Sequence, residues 1–361
     1  MVTLKIRVDR RTLNKLVLAS AAAAVVPRSA LPQVRAAPGM PTPRFVSTNG
    51  IRMAVYEQGS GIPVIFCHGF PELAFSWRHQ LDAIAAAGFH AIAPDLRGYG
   101  LTDRPGAVAD YASTEVCDDL AGMMDAMGLE SAVFCGHDWG GFIADAMLLL
   151  YPQRCRGLVG VGSPHSLKPR DLPRSAVEIE DIVDKPGFNR FLQQPDVPDA
   201  LFDSNVRRVF TTFARTGYLT ADYLETLPED SIERRLDLAA MFAKDDQPGE
   251  VILSEADLAY YVATFEETGF TGAINWYRAM NATIEALDSR ETAWGVDVPY
   301  LYIWPEQDPI VRRGHEIRLA DYIDDFEWVA LPDCGHFLTE ERPLEVNRIL
   351  VDWLRRKAMP A

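Results

Sequence analysis

The chain has 361 residues, of which 48% are hydrophobic and 24% charged, so it is long enough for one large domain with a sizeable core. Its formal net charge of −16 argues against a nucleic-acid partner, because phosphates would be repelled. Five cysteines without a Cys-x-x-Cys pair indicate neither a disulfide framework nor a zinc site, so we interpret them as small buried apolar residues.

Residues 1–37 have the pattern of an export signal. The pair Arg10-Arg11 precedes an apolar run at 16–26, and Ala36-Ala37 are small enough for a cleavage site. The arginine pair is similar to a twin-arginine signal, which predicts export to the periplasm. The alternatives are an ordinary secretory signal and an N-terminal extension of a cytoplasmic enzyme. The apolar run is too short to span a bilayer, so we expect no stable membrane insertion.

Short apolar strands alternate with helices after a Pro-rich linker at 38–43. The region 44–164 contains predicted strands at 51–57, 63–67, 91–94, 132–134 and 158–161 and helices at 81–87, 113–127 and 142–150. The strand at 51–57 alternates as an antiparallel edge strand does. Buried strands separated by helices predict an α/β fold, with a mostly parallel sheet and helices on both faces.

The alternation stops for more than a hundred residues and then resumes. Residues 165–288 contain helical segments, including 200–215 and 255–268, and no convincing strand. Strands at 298–304 and 326–331 and a last helix at 344–357 follow within 289–361. We therefore predict one α/β domain, in two parts, with an inserted helical cap.

The stretch from Gly136 to Gly141 has the pattern of a nucleophile elbow. A buried strand precedes it, a helix follows it, and small residues flank the central Asp138. Aspartate attacks an electrophilic carbon without a base and leaves an ester that water must cleave. The alternative is an ordinary polar turn. A serine esterase is disfavoured because no serine occupies the elbow.

Other strand ends supply candidate partners for Asp138. The backbone N–H groups of Phe70 and Trp139 could converge as an oxyanion hole, whereas His68 is interpreted as a prop for its loop. His336, after the last strand, is the predicted base, and the order nucleophile, acid, histidine favours Asp308 as the orienting acid. Its rivals are Glu306 and Asp95.

Several motifs together resemble the α/β-hydrolase fold epoxide hydrolases of the soluble epoxide hydrolase type. The resemblance covers about residues 44–356 and is carried by His68-Gly69-Phe70-Pro71-Glu72, Ser76-Trp77-Arg78, Asp95-Leu96-Arg97-Gly98-Tyr99-Gly100, the elbow, and Asp333-Cys334-Gly335-His336. It implies hydrolysis of an epoxide to a vicinal diol through an ester on Asp138, cleaved by water that His336 activates. It implies no metal and no cofactor.

The resemblance also implies two cap tyrosines that donate hydrogen bonds to the epoxide oxygen. Tyr277, in Asn275-Trp276-Tyr277-Arg278, matches one of them, whereas the other position holds Phe188, which cannot donate. Losing such a donor costs about 2–4 kcal/mol. Either Tyr277 acts alone, or Tyr218 or Tyr223 replaces the missing donor, or the substrate is not an epoxide.

A small apolar substrate is expected, because aromatic residues are frequent near the predicted site. Phe188, Trp276 and Trp77 are the predicted pocket residues. One rival function is a haloalkane or haloacid dehalogenase that uses the same Asp138, Asp308 and His336. Another is a catalytically idle ligand-binding protein on this scaffold. A homodimer is left open.

Overall fold

The computed structural model describes residues 37–163, 186–289, 296–310 and 323–358. The predicted signal, except its last residue, and the first part of the predicted cap, 165–185, lie outside the described residues. Within the described residues, no helix is both long enough and apolar enough to cross a membrane.

Eight strands form one sheet within the described part of the chain. They are β1 Arg44–Thr48, β2 Ile51–Gly59, β3 Pro63–Cys67, β4 His90–Pro94, β5 Ala132–His137, β6 Cys155–Val161, β7 Tyr300–Pro305 and β8 Phe326–Leu331. Their order is β1-β2-β4-β3-β5-β6-β7-β8. The β1–β2 and β2–β4 pairs are antiparallel and the remaining five pairs are parallel, so the predicted mostly parallel sheet is confirmed.

The prediction that 51–57 is an edge strand is wrong. This strand, β2, is antiparallel as expected, but β1 pairs with its outer side, with Phe45 opposite Ala54. Strand β1 occupies this edge of the sheet instead. Its first two residues are both exposed, and its last three are buried, exposed and buried in turn. That pattern is too short and too polar to be recognised as a strand from sequence periodicity.

Helices cover both faces of the sheet and form the insertion between β6 and β7. They are α1 Arg78–Ala86, α2 Ser113–Met127, α3 Trp139–Leu150, α4 Pro186–Leu192, α5 Val197–Asp203, α6 Val206–Phe213, α7 Ala221–Glu225, α8 Leu238–Ala243, α9 Glu255–Thr268, α10 Thr271–Arg278, α11 Met280–Ser289, α12 Leu338–Glu341 and α13 Pro343–Lys357. Short 3-10 helices span Ala74–Trp77, Val108–Tyr111 and Pro152–Arg154. The predicted inserted helical cap is confirmed within the described residues.

The single helix predicted at 200–215 is two helices, α5 and α6. Asn205 leaves the helical region, with φ −133°, and caps α6. The Asp203 carboxylate accepts the backbone N–H of Phe270, which ties the end of α5 to the start of α10. The tertiary contact therefore breaks a continuous helical pattern.

Two hydrophobic clusters lie on opposite faces of the sheet, as alternating strand residues require. Ile65 and Phe134 point to the cluster that contains residues of α2, α3 and the cap. Phe66 and Cys135 point to the other cluster, which α1 and α13 cover. All five cysteines are buried and free, which confirms their interpretation as small apolar residues.

Candidate active site

Asp138 stands on a strained turn between β5 and α3. Its φ is +50°, a left-handed conformation that an L-residue adopts only at a cost. The turn needs glycine beside it, because a Cβ on Gly140 would lie 2.0 Å from the Cys67 carbonyl oxygen. A Cβ on Gly136 would lie 2.1 Å from the Gly140 carbonyl oxygen. The carboxylate is thereby held at the positive end of α3.

The two oxygens of Asp138 face different partners. Oδ1 accepts the Phe70 N–H at 2.8 Å, and the backbone N–H of Trp139 also donates to this carboxylate. Oδ2 lies 3.8 Å from Nε2 of His336. The structure therefore places both predicted N–H donors on the Asp138 carboxylate, with Phe70 at Oδ1 and His336 nearest to Oδ2.

Asp308, rather than its rivals, lies beside the base. Its Oδ2 is 2.9 Å from Nδ1 of His336, and its Oδ1 accepts the Ile310 N–H at 2.7 Å. The Asp308 side chain is fully buried. These contacts fix the His336 ring with Nδ1 protonated and with Nε2 turned toward Asp138. Glu306 comes directly after β7, two residues before Asp308, and its backbone N–H donates to the Leu331 carbonyl.

Asp95 has a structural role at the end of β4. Its carboxylate accepts the N–H groups of Ala74 and Leu101, each at 3.0 Å. Burial raises its pKa to about 6, against the effect of these two hydrogen bonds. His68 also props a loop, since its Nε2 accepts the Leu96 N–H at 3.0 Å and its Nδ1 lies 3.0 Å from the Gly69 carbonyl.

The charges of the site are interdependent. Burial alone lowers the pKa of His336, but the carboxylates of Asp308 and Asp138 outweigh burial and raise this pKa to about 9. Burial raises the pKa of Asp138 above its ordinary value, although His336 and the N–H donors counteract it. At neutral pH His336 is therefore mainly an imidazolium in the resting site.

A buried pair behind the nucleophile was not predicted from the sequence. Nδ1 of His137 lies 3.0 Å from Oε2 of Glu72, and its Nε2 lies 2.9 Å from the His336 carbonyl oxygen. Glu72 also accepts the Gly69 N–H at 2.7 Å. Because both partners of the His137 ring are acceptors, both ring nitrogens carry protons. The pair joins the oxyanion loop, the nucleophile strand and the base loop.

A cavity of about 160 Å³ is lined by Asp138. Tyr277 and Phe188 line it, and their rings meet edge to face with centroids 5.9 Å apart. Burial and the Asp138 carboxylate raise the pKa of Tyr277 well above its ordinary value, while a hydrogen bond from the Trp139 side chain lowers it. Tyr277 therefore stays protonated and is a hydrogen-bond donor close to Asp138.

Two of the predicted pocket residues lie elsewhere. Trp77 is fully buried against Phe66, with ring centroids 5.0 Å apart, in the cluster on the far side of the sheet. Trp276 donates its indole N–H to the Arg97 carbonyl at 3.0 Å and packs against Tyr99. Consecutive residues of a helix point about 100° apart, so Trp276 cannot share the cavity-facing direction of Tyr277.

Within the described ranges, no group of three or more His, Cys, Asp or Glu side chains is arranged to hold a metal ion. His336 lies between the two carboxylates, 2.9 Å from Asp308 and 3.8 Å from Asp138. The arrangement supports nucleophilic attack by a carboxylate, followed by base-assisted hydrolysis of the resulting ester.

Comparisons with known proteins agree with this geometry. Residues 62–343 match the α/β hydrolase fold family. Epoxide hydrolase A of Mycobacterium tuberculosis is 35% identical over 330 residues, which are 88% of this chain and 98% of that protein. Bifunctional epoxide hydrolase 2 of Sus scrofa is 32% identical over 319 residues, but the chain spans only 54% of that relative's length. The crystal structure of Epoxide Hydrolase A from Mycobacterium thermoresistibile superposes with a TM-score of 0.73 at 34% identity, covering 87% of this chain and 98% of that one.

Proposed function

The chain belongs to the epoxide hydrolases of the α/β-hydrolase fold, and from this premise we propose that it hydrolyses an epoxide to a vicinal diol through an ester on Asp138. One observation carries the proposal. The Phe70 N–H donates to one oxygen of Asp138 at 2.8 Å, the other oxygen lies 3.8 Å from Nε2 of His336, and Asp138 and Tyr277 both line the cavity. That arrangement suits a carboxylate nucleophile beside a proton donor.

In the first step, Oδ2 of Asp138 attacks an epoxide carbon. The bond from Oδ2 to carbon forms as the ring carbon–oxygen bond breaks, and the ring oxygen takes the Tyr277 proton. Negative charge develops on that oxygen in the transition state, so a positioned donor stabilises the transition state more than the bound substrate. Tyr277 is the donor that the described residues place beside Asp138.

In the second step, His336 removes a proton from water, which attacks Cγ of the ester. The charge then develops on Oδ1, which already accepts the Phe70 N–H, while the Trp139 N–H donates to the same carboxyl group. His336 returns that proton to the departing diol oxygen, and the proton of the regenerated Asp138 acid passes to His336, which restores the resting imidazolium. The diol leaves and the resting site is recovered.

Ester formation itself prepares the base for this second step. The negative charge of Asp138 is one cause of the raised pKa of His336. Alkylation converts that carboxylate into a neutral ester, so the pKa of His336 falls and the ring gives its extra proton to the Tyr277 phenolate that ring opening has left. His336 therefore becomes neutral, and able to accept a proton from water, after the ester has formed.

A two-substrate assay tests the function. The protein is incubated with styrene oxide and with short bromoalkanes, and diol and free bromide are measured. We expect diol from the epoxide. Bromide without diol would instead support the dehalogenase. The observation that favours this alternative is that Trp139, whose side chain is compatible with a halide site, lines the cavity. Neither product would support an idle ligand-binding scaffold. Asp138→Asn is the control for uncatalysed hydrolysis.

We further propose that residues 1–37 direct export through the twin-arginine route. The proposal is supported by Arg10-Arg11 before a short apolar run, and by five free buried cysteines, which need no oxidising compartment to fold. Cell fractionation tests it: the variant with Arg10→Lys and Arg11→Lys should stay in the cytoplasm, whereas Arg28→Lys should be exported. If the wild type stayed in the cytoplasmic fraction to the same extent as this double variant, export would be contradicted.

A homodimer remains a prediction, which light scattering of the purified protein can test.

A further inference from the structure

Two contacts attach helix α10, which carries Tyr277, to the loop that follows β4. At the first, a Cβ on Gly272 would lie 2.3 Å from the Gly98 carbonyl oxygen, so the two backbones touch with no side chain between them. At the second, the Trp276 indole N–H donates to the Arg97 carbonyl at 3.0 Å. Gly272 and Trp276 are four residues apart and therefore lie on one face of the helix.

The loop that receives α10 is itself held by the core. Arg97 is 3% exposed, and its guanidinium forms a two-point ion pair with Asp119 of α2, at 2.5 and 2.7 Å. The preceding Leu96 N–H donates to Nε2 of His68 at 3.0 Å, and His68 belongs to the loop of the Phe70 donor. The Arg97 carbonyl therefore has a defined position relative to the catalytic groups.

Trp276 is close to the site but does not line the cavity. It is 2% exposed, and its ring packs edge to face against Tyr99 and Trp139, with centroids 5.6 and 5.9 Å away. Trp276 therefore influences a substrate only through the groups that it holds in place. Tyr277, the next residue along the helix, does line the cavity.

The rotation of α10 about its axis decides where the Tyr277 hydroxyl lies. Consecutive helical residues point about 100° apart, so fixing the face of Gly272 and Trp276 against the loop also fixes the direction of Tyr277. Contact at Gly272 alone would allow the helix to turn, whereas the second contact at Trp276 prevents it. Phe188 cannot donate, so the proposed ring opening relies on Tyr277, and a misplacement of about 1 Å can slow such a step by about 100-fold.

We propose that Trp276 is a positioning residue for ring opening. Its hydrogen bond to the Arg97 carbonyl sets the rotation of α10 and thereby the place of the Tyr277 hydroxyl relative to Asp138. The inference rests on the proposed function and deepens it, because it names what holds the proton donor. The loop at 95–100 then supports the reaction without touching the substrate.

Trp276→Phe tests the proposal, because it removes the indole N–H and retains an aromatic ring. Alkylation and ester hydrolysis are measured separately in single turnovers, by rapid quenching and mass spectrometry of the ester. We expect alkylation to slow about 10-fold, and by no more than in Tyr277→Phe. Hydrolysis of the ester should change by less than about 2-fold, because Asp138, His336 and the backbone donors carry out that step.

Trp353→Phe is the matched control. Trp353 is 1% exposed in the cluster on the other face of the sheet, and within the described residues its indole N–H has no hydrogen-bond partner. The same atoms are lost from an equally buried site, but no hydrogen bond is lost. Both rates should therefore be retained, even if the Tm falls.

Three results would overturn the proposal. They are an unchanged alkylation rate in Trp276→Phe, an equal slowing of both steps in that variant, and an equal slowing of alkylation in Trp353→Phe. If Trp276→Phe does not fold, Trp276 is replaced by benzothienylalanine, whose sulfur takes the place of the indole N–H while the shape is retained. The same slowing of alkylation alone is expected there, and its absence would equally overturn the proposal.

Crystal structures separate this inference from the proposed function. The distance from the Tyr277 hydroxyl to the Asp138 carboxylate is compared between the wild type and Trp276→Phe without any epoxide. A displacement of about 1 Å or more would support the positioning of Tyr277 by Trp276 even if no epoxide yields diol, a result that would refute only the proposed function. An unmoved Tyr277 would overturn the inference.

Discussion

Restoring a hydroxyl at position 188 is the most direct test of how the cap assists ring opening. Phe188 lines the cavity, and its ring meets the Tyr277 ring edge to face at 5.9 Å. Phe188→Tyr adds one oxygen to a side chain already placed next to the donor. The substitution therefore changes hydrogen bonding at the epoxide oxygen while retaining the aromatic packing.

The expected gain follows from the charge that the new hydroxyl would meet. A hydrogen bond to a charged group contributes about 1.5–3 kcal/mol. If the bond forms only as negative charge develops, the rate of alkylation rises by about 10- to 150-fold. Tyr277 already shares this charge, so we expect the lower part of the range.

Single-turnover kinetics measure the alkylation step separately from hydrolysis. Trp139, which flanks the nucleophile, is a fluorescent reporter for stopped-flow mixing with excess epoxide. Phe213→Tyr is the matched control, because it adds the same hydroxyl to a cavity residue that packs against Phe202 and Phe242. An alkylation rate in Phe188→Tyr that is unchanged or lower, with epoxide still turned over, would refute a limiting second donor.

Three further predictions concern the core. His336→Gln should accumulate the ester, seen by mass spectrometry as a protein heavier by one epoxide, whereas Asp138→Asn should show no adduct. The His336 pKa is raised to about 9 in the folded protein, so its stabilising effect is complete below pH 6.5 and is lost as the pH rises through 9. Between pH 6.5 and 9, denaturant titrations should show that the free energy of unfolding falls by an amount on the order of 3 kcal/mol in the wild type and not in His336→Gln. An equal fall in both proteins would contradict the raised pKa of His336. Gly140→Ala should destabilise the fold by about 3 kcal/mol or more, because its Cβ would lie 2.0 Å from the Cys67 carbonyl, whereas Gly106→Ala meets nothing within 4 Å and should stay within about 0.5 kcal/mol of the wild type.

The sequence predicts those parts of the fold that depend on local pattern. The helix at 113–127 and the strand at 326–331 have the predicted bounds. The apolar residues of the helix recur with its period and Gly128 follows its last residue, whereas the strand is a short, mostly apolar segment. Strand β1 was not predicted, since only pairing with β2 makes its short polar segment extended.

The proximity of Asp138, Asp308 and His336 was predictable from the sequence because each follows a strand, and parallel strands bring their carboxyl ends to one edge. The supporting residues were not. Glu72 and His137 are 65 positions apart, and no local signal indicates that their side chains meet. Trp77 was assigned to the wrong face for a related reason: a motif gives the residue type but not the direction of its side chain.

The residues proposed to carry out the reaction and the residues that line the substrate cavity come largely from different parts of the fold. Asp138, Asp308 and His336 all follow β-strand ends, and the proposed mechanism assigns the nucleophile, the orienting acid and the base to them. The cap instead supplies the proposed donor Tyr277 and a cavity wall of Tyr218, Leu219 and Thr220. The residues that follow this wall are hydrogen-bonded to Gln307 of the core. A substitution in that wall should therefore change which epoxide is bound, while the ester on Asp138 still forms and is still hydrolysed by the same groups.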